Sequence, residues 1–232
     1  MSTETAISIQ QLSKSYQESG QQHSIFSGLH LQVSRGEFIV LLGRSGSGKS
    51  TFLNLVSGID PPDSGKIIIN GTDITALSEH DRTLFRRHHI GFVFQSYNLI
   101  PTLTVAENLL LPLELIKRVT RKDRENVVEL LEKLNLSNRL DSYPDRLSGG
   151  EQQRVAIARA LIHDPDVILA DEPTGNLDLD TAGQVLELLD ILVRKAGKTM
   201  IMATHSKEVI GKADRVFTIR NKSLCLSDEF DS

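Results

Sequence analysis

Gly43-Arg44-Ser45-Gly46-Ser47-Gly48-Lys49-Ser50-Thr51 is the stretch that decides the fold of this chain. It fits the pattern G-x-x-x-x-G-K-[ST], in which glycines let successive backbone N–H groups turn inward around phosphate oxygens. Lys49 brings a positive charge to the β and γ phosphates, and the Ser50 hydroxyl is a ligand for the accompanying magnesium. The stretch predicts a site for a nucleotide triphosphate.

The segments on both sides of the loop follow the order that this pattern requires. Residues 38–42 form an apolar run of strand length, and residues 51–57 predict a helix directly after the loop. The helix N-terminus adds roughly half a positive charge where the phosphates would lie. A glycine-rich turn without a ligand is the alternative, and the flanking strand and helix argue against it.

Composition limits the classes of protein to consider. The chain has 232 residues, a net charge of −4 and a single cysteine, Cys225, which excludes an internal disulfide. The pI near 6.0 argues against a surface devoted to nucleic acid. No segment approaches ~18 consecutive apolar residues, and the first residues lack the features of a secretory signal. We therefore expect a cytoplasmic chain that does not insert into the membrane and binds no nucleic acid.

Residues before and after the loop predict a second sheet. Residues 6–12 and 25–33 alternate apolar and polar side chains, which is typical of antiparallel strands, and residues 66–69 predict a further strand. Tyr16 falls in the predicted connection between the first two strands, where an aromatic ring either packs in the core or stacks on a nucleotide base. The basic stretch 81–89 suits anionic lipid or an acidic partner, but we favour a solvated helix face.

Residues 96–158 predict a helical insertion in an α/β frame whose core is about 1–95 and 159–232. Leucines at helical spacing occupy 105–117, and Thr120 with Asp123 predicts the cap of a second helix. Residues 147–154, Leu-Ser-Gly-Gly-Glu-Gln-Gln-Arg, begin a third helix. Ser148 and Glu151 form a capping-box pattern, while Gly149 and Gly150 at a helix N-terminus also form a phosphate-binding surface. A second phosphate surface on one chain suggests that it completes a partner's site.

Polar residues follow two predicted core strands. Residues 167–170 end in Asp171 and Glu172, and residues 199–203 end in Thr204 and His205. In open α/β sheets, ligands bind outside the carboxyl ends of the strands. Asp171 therefore fits a magnesium-holding acid, and Glu172 fits a residue that orients or deprotonates the attacking water. His205 could contact the γ phosphate from the neighbouring strand.

Over nearly its whole length the chain resembles the ATP-binding subunit of an ABC transporter. The loop above matches Walker A, residues 147–154 the signature, and residues 167–172 Walker B. Gln95 matches the Q-loop, Gly175-Asn176-Leu177-Asp178 the D-loop and His205 the H-loop. The resemblance implies a RecA-like core of the P-loop NTPase class with an N-terminal antiparallel β subdomain and an inserted helical subdomain. It also implies a homodimer in which Walker A of one subunit and the signature of the other enclose each ATP.

The resemblance also implies a role for each site residue. It makes Glu172 the catalytic base, His205 a γ-phosphate clamp, Tyr16 the base-stacking aromatic, and Gln95 a sensor of Mg²⁺ and of the membrane subunit. Ser148, Gly149 and Gly150 would contact the partner's γ phosphate, and Asp178 of the D-loop would lie at the nucleotide. Ser206 departs from the family, in which an Asp commonly follows the H-loop histidine, so we expect altered local hydrogen bonding with retained activity.

The partner implied by the resemblance is an integral-membrane permease on the cytoplasmic face of the inner membrane. Residues 92–95, 99–104 and 169–178 look most like the lipoprotein-release and macrolide-exporter group, whose permeases resemble the cell-division permease. Gln95 and the nearby Tyr97, Leu99 and Leu103 would meet the permease. The alternatives are a soluble ABC ATPase of repair or translation, a regulator that binds ATP without hydrolysis, and a small-molecule kinase. The intact Glu172 and His205 argue against the second, and the signature against the third.

Overall fold

The computed structural model describes residues 4–18 and 20–227. The strands and α-helices of these residues follow in the order β1 (Thr5–Glu18), β2 (Gln21–Ser34), β3 (Phe38–Leu42), α1 (Lys49–Val56), β4 (Ser64–Ile69), β5 (Thr72–Asp73), α2 (Glu79–His89), β6 (Ile90–Val93), α3 (Val105–Ile116), α4 (Arg121–Lys133), α5 (Gly149–Leu161), β7 (Val167–Asp171), α6 (Leu179–Lys195), β8 (Thr199–Thr204), β9 (Arg215–Arg220) and β10 (Ser223–Leu226). Among them, no helix combines the length and the apolar content that a membrane crossing requires.

A six-stranded sheet in the order β10-β9-β3-β8-β7-β6 forms the centre of the fold. Strands β3 and β6–β9 are parallel where they pair, whereas β10 runs antiparallel to β9. Every residue of β3 and of β8 is buried, because helices cover both faces of a parallel sheet and its strands are apolar throughout. The register pairs Leu42 with Thr204 and Asp171 with Ala203. The carboxyl ends of β3, β8 and β7 therefore lie side by side.

A second, antiparallel sheet in the order β2-β1-β4-β5 packs over the first helix. Ile7 and Ile9 of β1 pair with Ile69 and Ile67 of β4, and all four side chains are buried in one cluster with residues of α1. Phe26 of β2 meets Phe52 of α1 edge to face, with ring centroids 6.0 Å apart. The alternation of apolar and polar residues thus predicted these strands, because only one face of the sheet is buried.

The predicted position of Tyr16 in a connection is wrong. Tyr16 lies within β1 and pairs with His23 of β2. The strand continues past its apolar residues because the polar residues of β1 and β2 form backbone hydrogen bonds with each other. The pairing has an irregular register between Leu12 and Ser15. Gly20, at φ 80°, lies in the turn that follows.

Helices α3, α4 and α5 share a third cluster, which includes Leu109, Leu131 and Val155. Each begins with a capping box of the same kind, from Thr104, Thr120 and Ser148 respectively, as the sequence predicted for the last two. Helix α5 also contributes Ile157 and Ala160 to the cluster beneath the central sheet, so it joins the helical part to the core. The boundaries of the helical insertion at about 96 and 158 stay a prediction.

Candidate nucleotide-binding site

The glycine-rich loop joins β3 to α1, in the predicted order. Gly46 (φ 77°) and Gly48 (φ 98°) have left-handed backbones, which residues with a side chain rarely adopt. A Cβ on Gly48 would also lie 2.9 Å from the Ile25 side chain. Gly48 is the N-cap of α1 and offers no side-chain hydrogen bond to it. The first N–H groups of the helix therefore face the loop as donors for an anion.

Lys49 lies on the inner side of this loop and is only 5 % exposed. Its ammonium donates to the carbonyl oxygens of Gly43 at 2.6 Å and Arg44 at 3.1 Å. It is also 3.3 Å from Oε1 of Glu172. The buried charge is thus balanced by two dipoles and one carboxylate, which is the condition for placing an ammonium in the interior.

Glu172 joins the loop to the neighbouring strand ends. It follows β7 with a left-handed backbone (φ 45°), and its N–H donates to the carbonyl of Ala203 in β8 at 2.8 Å. While Oε1 faces Lys49, Oε2 lies 2.9 Å from Nδ1 of His205 and accepts from the His205 N–H at 3.2 Å. The structure therefore brings together three residues that the sequence separates by up to 156 positions, from Lys49 to His205.

The end of β8 fixes the distance between the histidine and the loop. The N–H of Gly43 donates to the carbonyl of Thr204 at 3.2 Å, because β3 and β8 are parallel neighbours that end together. His205, the next residue, keeps 65 % of its side chain exposed. Its ring is therefore anchored by Glu172 on one side and open on the other.

Two buried polar atoms beside the loop have no hydrogen-bond partner among the described residues. They are Oδ1 of Asp171 and Oγ of Ser47. Burial raises the pKa of Asp171, and the nearby Ser50 hydroxyl acts in the opposite direction. A carboxylate and a hydroxyl are hard oxygen donors, which suit Mg²⁺ held by one or two protein ligands together with phosphate oxygens. Asp171 and Ser50 therefore fit the predicted metal.

Gln95 lies two residues beyond β6, against the turn that follows β7. Its carbonyl accepts from Nδ2 of Asn176 at 2.9 Å, and a Cβ on Gly175 would come within 2.7 Å of its Nε2. Glycine at position 175 is therefore what lets the Gln95 amide pass close to the backbone. Gln95 therefore contacts Gly175 and Asn176 of the D-loop. The Ser50 hydroxyl, in contrast, bonds to Asp171.

The predicted signature residues form a different surface. Ser148 accepts from the Glu151 N–H at 3.3 Å, and Glu151 accepts from the Ser148 N–H at 2.8 Å, so the capping box is present. Cβ atoms on Gly149 and Gly150 would lie 3.0 Å from the Tyr97 hydroxyl and 2.5 Å from Thr181. The three signature residues line a cavity of about 380 Å³ together with Asn176, Leu177 and Asp178.

Asp178 is the N-cap residue of α6. Its Oδ1 accepts from the Thr181 N–H at 3.0 Å at the start of α6. That hydrogen bond lowers the pKa of Asp178, because backbone donors favour the charged carboxylate. Asp178 therefore fixes the D-loop turn beside the signature glycines.

Tyr16 lies near the other end of the phosphate loop and is 37 % exposed. Its hydroxyl donates to Asp60. Burial and the hydrogen bond to Asp60 raise the pKa of Tyr16 to about 12, while the Thr51 hydroxyl acts in the opposite direction. The Tyr16 hydroxyl therefore lies near the side chain of Thr51, the last residue of the loop, and the exposed ring is not a core side chain.

Sequence reasoning missed an apolar groove of about 350 Å³ between the central sheet and α3. Phe92 and Phe94, stacked 4.2 Å apart, form one side, and Leu111, Pro112 and Leu115 form the other. Arg87, Arg159 and His163 also line it. Of the residues predicted to meet a permease, Leu99 packs against the third cluster, and Tyr97 lies against Gly149. No local sequence pattern indicates this groove, because its two sides come from separate elements and meet only in the folded chain.

The loop between β3 and α1, the buried Lys49 and the acids at the end of β7 define a P-loop nucleoside triphosphatase. The sequence profile of the ABC transporter family matches residues 26–175. An uncharacterized ABC transporter ATP-binding protein of Mycobacterium tuberculosis strain H37Rv is 51 % identical over 224 residues, which cover 97 % of this chain and 90 % of that protein. The lipoprotein-releasing system ATP-binding protein LolD of Colwellia psychrerythraea is 43 % identical, over 88 % of this chain and 80 % of its own length.

Two solved structures of ATP-binding cassettes have the same fold as this chain. A dimeric ATP-binding cassette in a post-hydrolysis state, bound to ADP and Pi, has a TM-score of 0.86 and 36 % identity, covering 94 % of this chain and 96 % of its own. A dimeric bacterial ABC transporter cassette has a TM-score of 0.86 and 37 % identity over the same shares. The chain belongs to the ABC transporter family, as an ATP-binding subunit whose reaction is the hydrolysis of ATP. The predicted fold and enzyme class are confirmed.

Proposed function

We propose that two copies of this chain close on ATP head to tail, each signature completing the phosphate loop of the other. One observation carries the proposal. Within a single chain the signature glycines face Tyr97, Leu177 and Thr181, whereas the phosphate loop is enclosed by Glu172 and the end of β8. Each surface has a helix N-terminus suited to an anion, and a dimer lets both act on one γ phosphate.

In the closed site, Glu172 accepts the proton of the attacking water. Lys49 contacts one of its carboxylate oxygens and His205 the other, so the carboxylate is oriented before the water arrives. Lys49 then exchanges its carbonyl partners for the β and γ phosphates, and His205 supports the γ phosphate from its exposed side. Mg²⁺, when bound by Ser50 and Asp171, neutralises phosphate charge. Gln95 links this metal site to the surface that meets the permease, and the Tyr16 ring stacks on the base.

The groove beside α3 receives a cytoplasmic segment of an integral-membrane permease. Its apolar sides suit an amphipathic helix laid into a hydrophobic groove, and its cationic side chains favour a segment that also carries an acid. The 43 % identity to a LolD protein supports a permease of the lipoprotein-release or macrolide-exporter type, with this subunit on the cytoplasmic face. Work done by the pair would then be export or extraction from the membrane.

The dimer is tested with Glu172→Gln, which keeps the shape of the side chain but removes the base. This variant should bind ATP without hydrolysing it and elute as a dimer when ATP and magnesium are present. Ser148→Arg added to it should prevent the dimer, because a long cationic side chain replaces the cap at the signature. Ser137→Arg, at an exposed serine of the helical part, is the matched control and should leave the dimer intact. Size-exclusion chromatography with light scattering measures both.

The composite site is wrong if Ser148→Arg and Ser137→Arg behave alike. A chain that stays monomeric in ATP, with or without either change, would also contradict it.

A further inference from the structure

We infer that Lys14 and Asp60 are positioning residues for the nucleotide base, because together they hold the Tyr16 ring, with the ammonium over one face and 37 % of the residue exposed. The inference rests on the proposed stacking of the base on Tyr16. Lys14 and Tyr16 are two residues apart on β1, and their side chains are in contact across an irregular step of the strand pairing. The Lys14 ammonium lies 4.9 Å from the centroid of the Tyr16 ring, within the distance of a cation–π contact.

One carboxylate holds both side chains. Oδ1 of Asp60 is 3.2 Å from the Lys14 ammonium, and Oδ2 accepts the hydrogen bond of the Tyr16 hydroxyl. The ammonium also donates to the carbonyl of Pro61 at 2.7 Å. Lys14 is only 7 % exposed, and a lysine so buried is costly unless its charge is paired. The arrangement therefore keeps a paired charge beneath an aromatic ring, at the rim of the nucleotide site.

The turn that carries Asp60 is fixed to the strand that carries Tyr16. Oδ2 of Asp63 accepts from the Ser15 N–H at 2.7 Å and from the Ser15 hydroxyl at 2.6 Å. The Asp63 N–H donates to the carbonyl of Ser13 at 2.9 Å, and the Asp60 N–H donates to that of Asn54 in α1 at 3.2 Å. Asp60 thus connects β1 to the helix that begins at the phosphate loop.

These contacts order the ring before a nucleotide binds. The hydroxyl is tied to Asp60, the ammonium covers one face, and the ring is nevertheless 37 % exposed. A base that enters beside Thr51 meets a Tyr16 side chain that already has a fixed rotamer. Less conformational freedom is then lost on binding, which raises affinity without any contact between Lys14 and the nucleotide.

A double-mutant cycle tests this inference by isothermal titration with magnesium ADP, and with inorganic pyrophosphate as a probe that lacks a base. Tyr16→Ala should weaken ADP binding about fivefold to a hundredfold, the range for loss of one stacked base. Lys14→Met should weaken it about twofold to tenfold, the range for the cost of ordering one side chain on binding. Pyrophosphate binding should change less than about twofold in both variants, because pyrophosphate has no base to stack on the ring. In the Tyr16→Ala background, Lys14→Met should add almost nothing, because its effect passes through the ring.

Lys14→Arg, which keeps the charge over the ring, should restore most of the ADP affinity. If Lys14→Met fails to fold, Asp60→Asn replaces it, because an amide oxygen still accepts from Tyr16 while the charge that pairs with Lys14 is gone. Equal losses from Lys14→Met with and without the Tyr16 ring, or equal losses for ADP and pyrophosphate, would overturn the inference. Unchanged ADP binding in Tyr16→Ala would refute base stacking instead, and would leave the ATPase assignment standing.

Discussion

The backbone of Glu172 is in a conformation that non-glycine residues adopt at a cost of about 1–3 kcal/mol. The surrounding contacts compensate for it, since the Glu172 N–H bonds to Ala203 and the carboxylate is held by Lys49 and His205. The strain is thus associated with the position of the carboxylate that we propose as the general base.

Replacing Glu172 by glutamine should reduce the rate of ATP hydrolysis by about a hundredfold to ten-thousandfold, because an amide cannot accept the proton of the water. ATP affinity should stay within about threefold, since Lys49, Ser50 and the loop amides still hold the phosphates. Phosphate release under saturating ATP measures the rate, and calorimetry measures the affinity. Glu129→Gln, on the exposed face of α4, is the control. A variant with near wild-type turnover would assign the base to another residue.

Three helices begin with the same capping box, which allows the structural role of Ser148 to be separated from its functional role. Thr104 and Ser148 each accept an N–H hydrogen bond at 3.3 Å from the glutamate three residues on. Thr104→Ala and Ser148→Ala should each lower the free energy of unfolding by about 1 kcal/mol. Only Ser148→Ala should also slow ATP hydrolysis, by about tenfold or more, because only its hydroxyl would face a charged phosphate. Urea unfolding and ATPase assays decide. Equal ATPase losses would reduce the signature serine to a cap.

Elements with a strong local pattern could be predicted from the sequence. The apolar strands β3 and β8 are buried on both faces, and the phosphate loop needs its glycines for a backbone reason that acts locally. Tyr16 was placed in a connection because its strand continues as a polar hairpin, in which backbone pairing rather than side-chain burial forms the sheet. Lys14 and Asp60 are 46 residues apart. No local sequence pattern therefore indicates that the Lys14 ammonium pairs with the Asp60 carboxylate.

At the scale of the molecule, the proposed nucleotide and permease surfaces meet at the residues that follow β6. Arg159 of α5 donates to the carbonyls of Tyr97 and Asn98 at 2.8 and 2.6 Å, and both of these residues have left-handed backbones, at φ 60° and 50°. Arg159 and Asn98 also line the groove, while the Tyr97 hydroxyl adjoins the signature helix at Gly149. A segment that occupies the groove would therefore press on the same turn that supports the signature. In the proposed complex, this contact links dimer closure to movement of the permease.

If the permease docks in the groove, Leu115→Lys should uncouple the subunit from its permease, because Leu115 lines the groove. Leu115 is 51 % exposed, so the change should leave folding and the ATPase rate of the isolated subunit within about twofold of wild type. A lysine there places a third cation beside Arg87 and Arg159 and removes an apolar anchor from the groove, and both effects oppose an amphipathic acidic segment. Val128→Lys, at a 42 % exposed apolar position on α4, is the matched control. Copurification with the coexpressed permease should be lost in Leu115→Lys alone; retention in both variants would place the docking surface elsewhere.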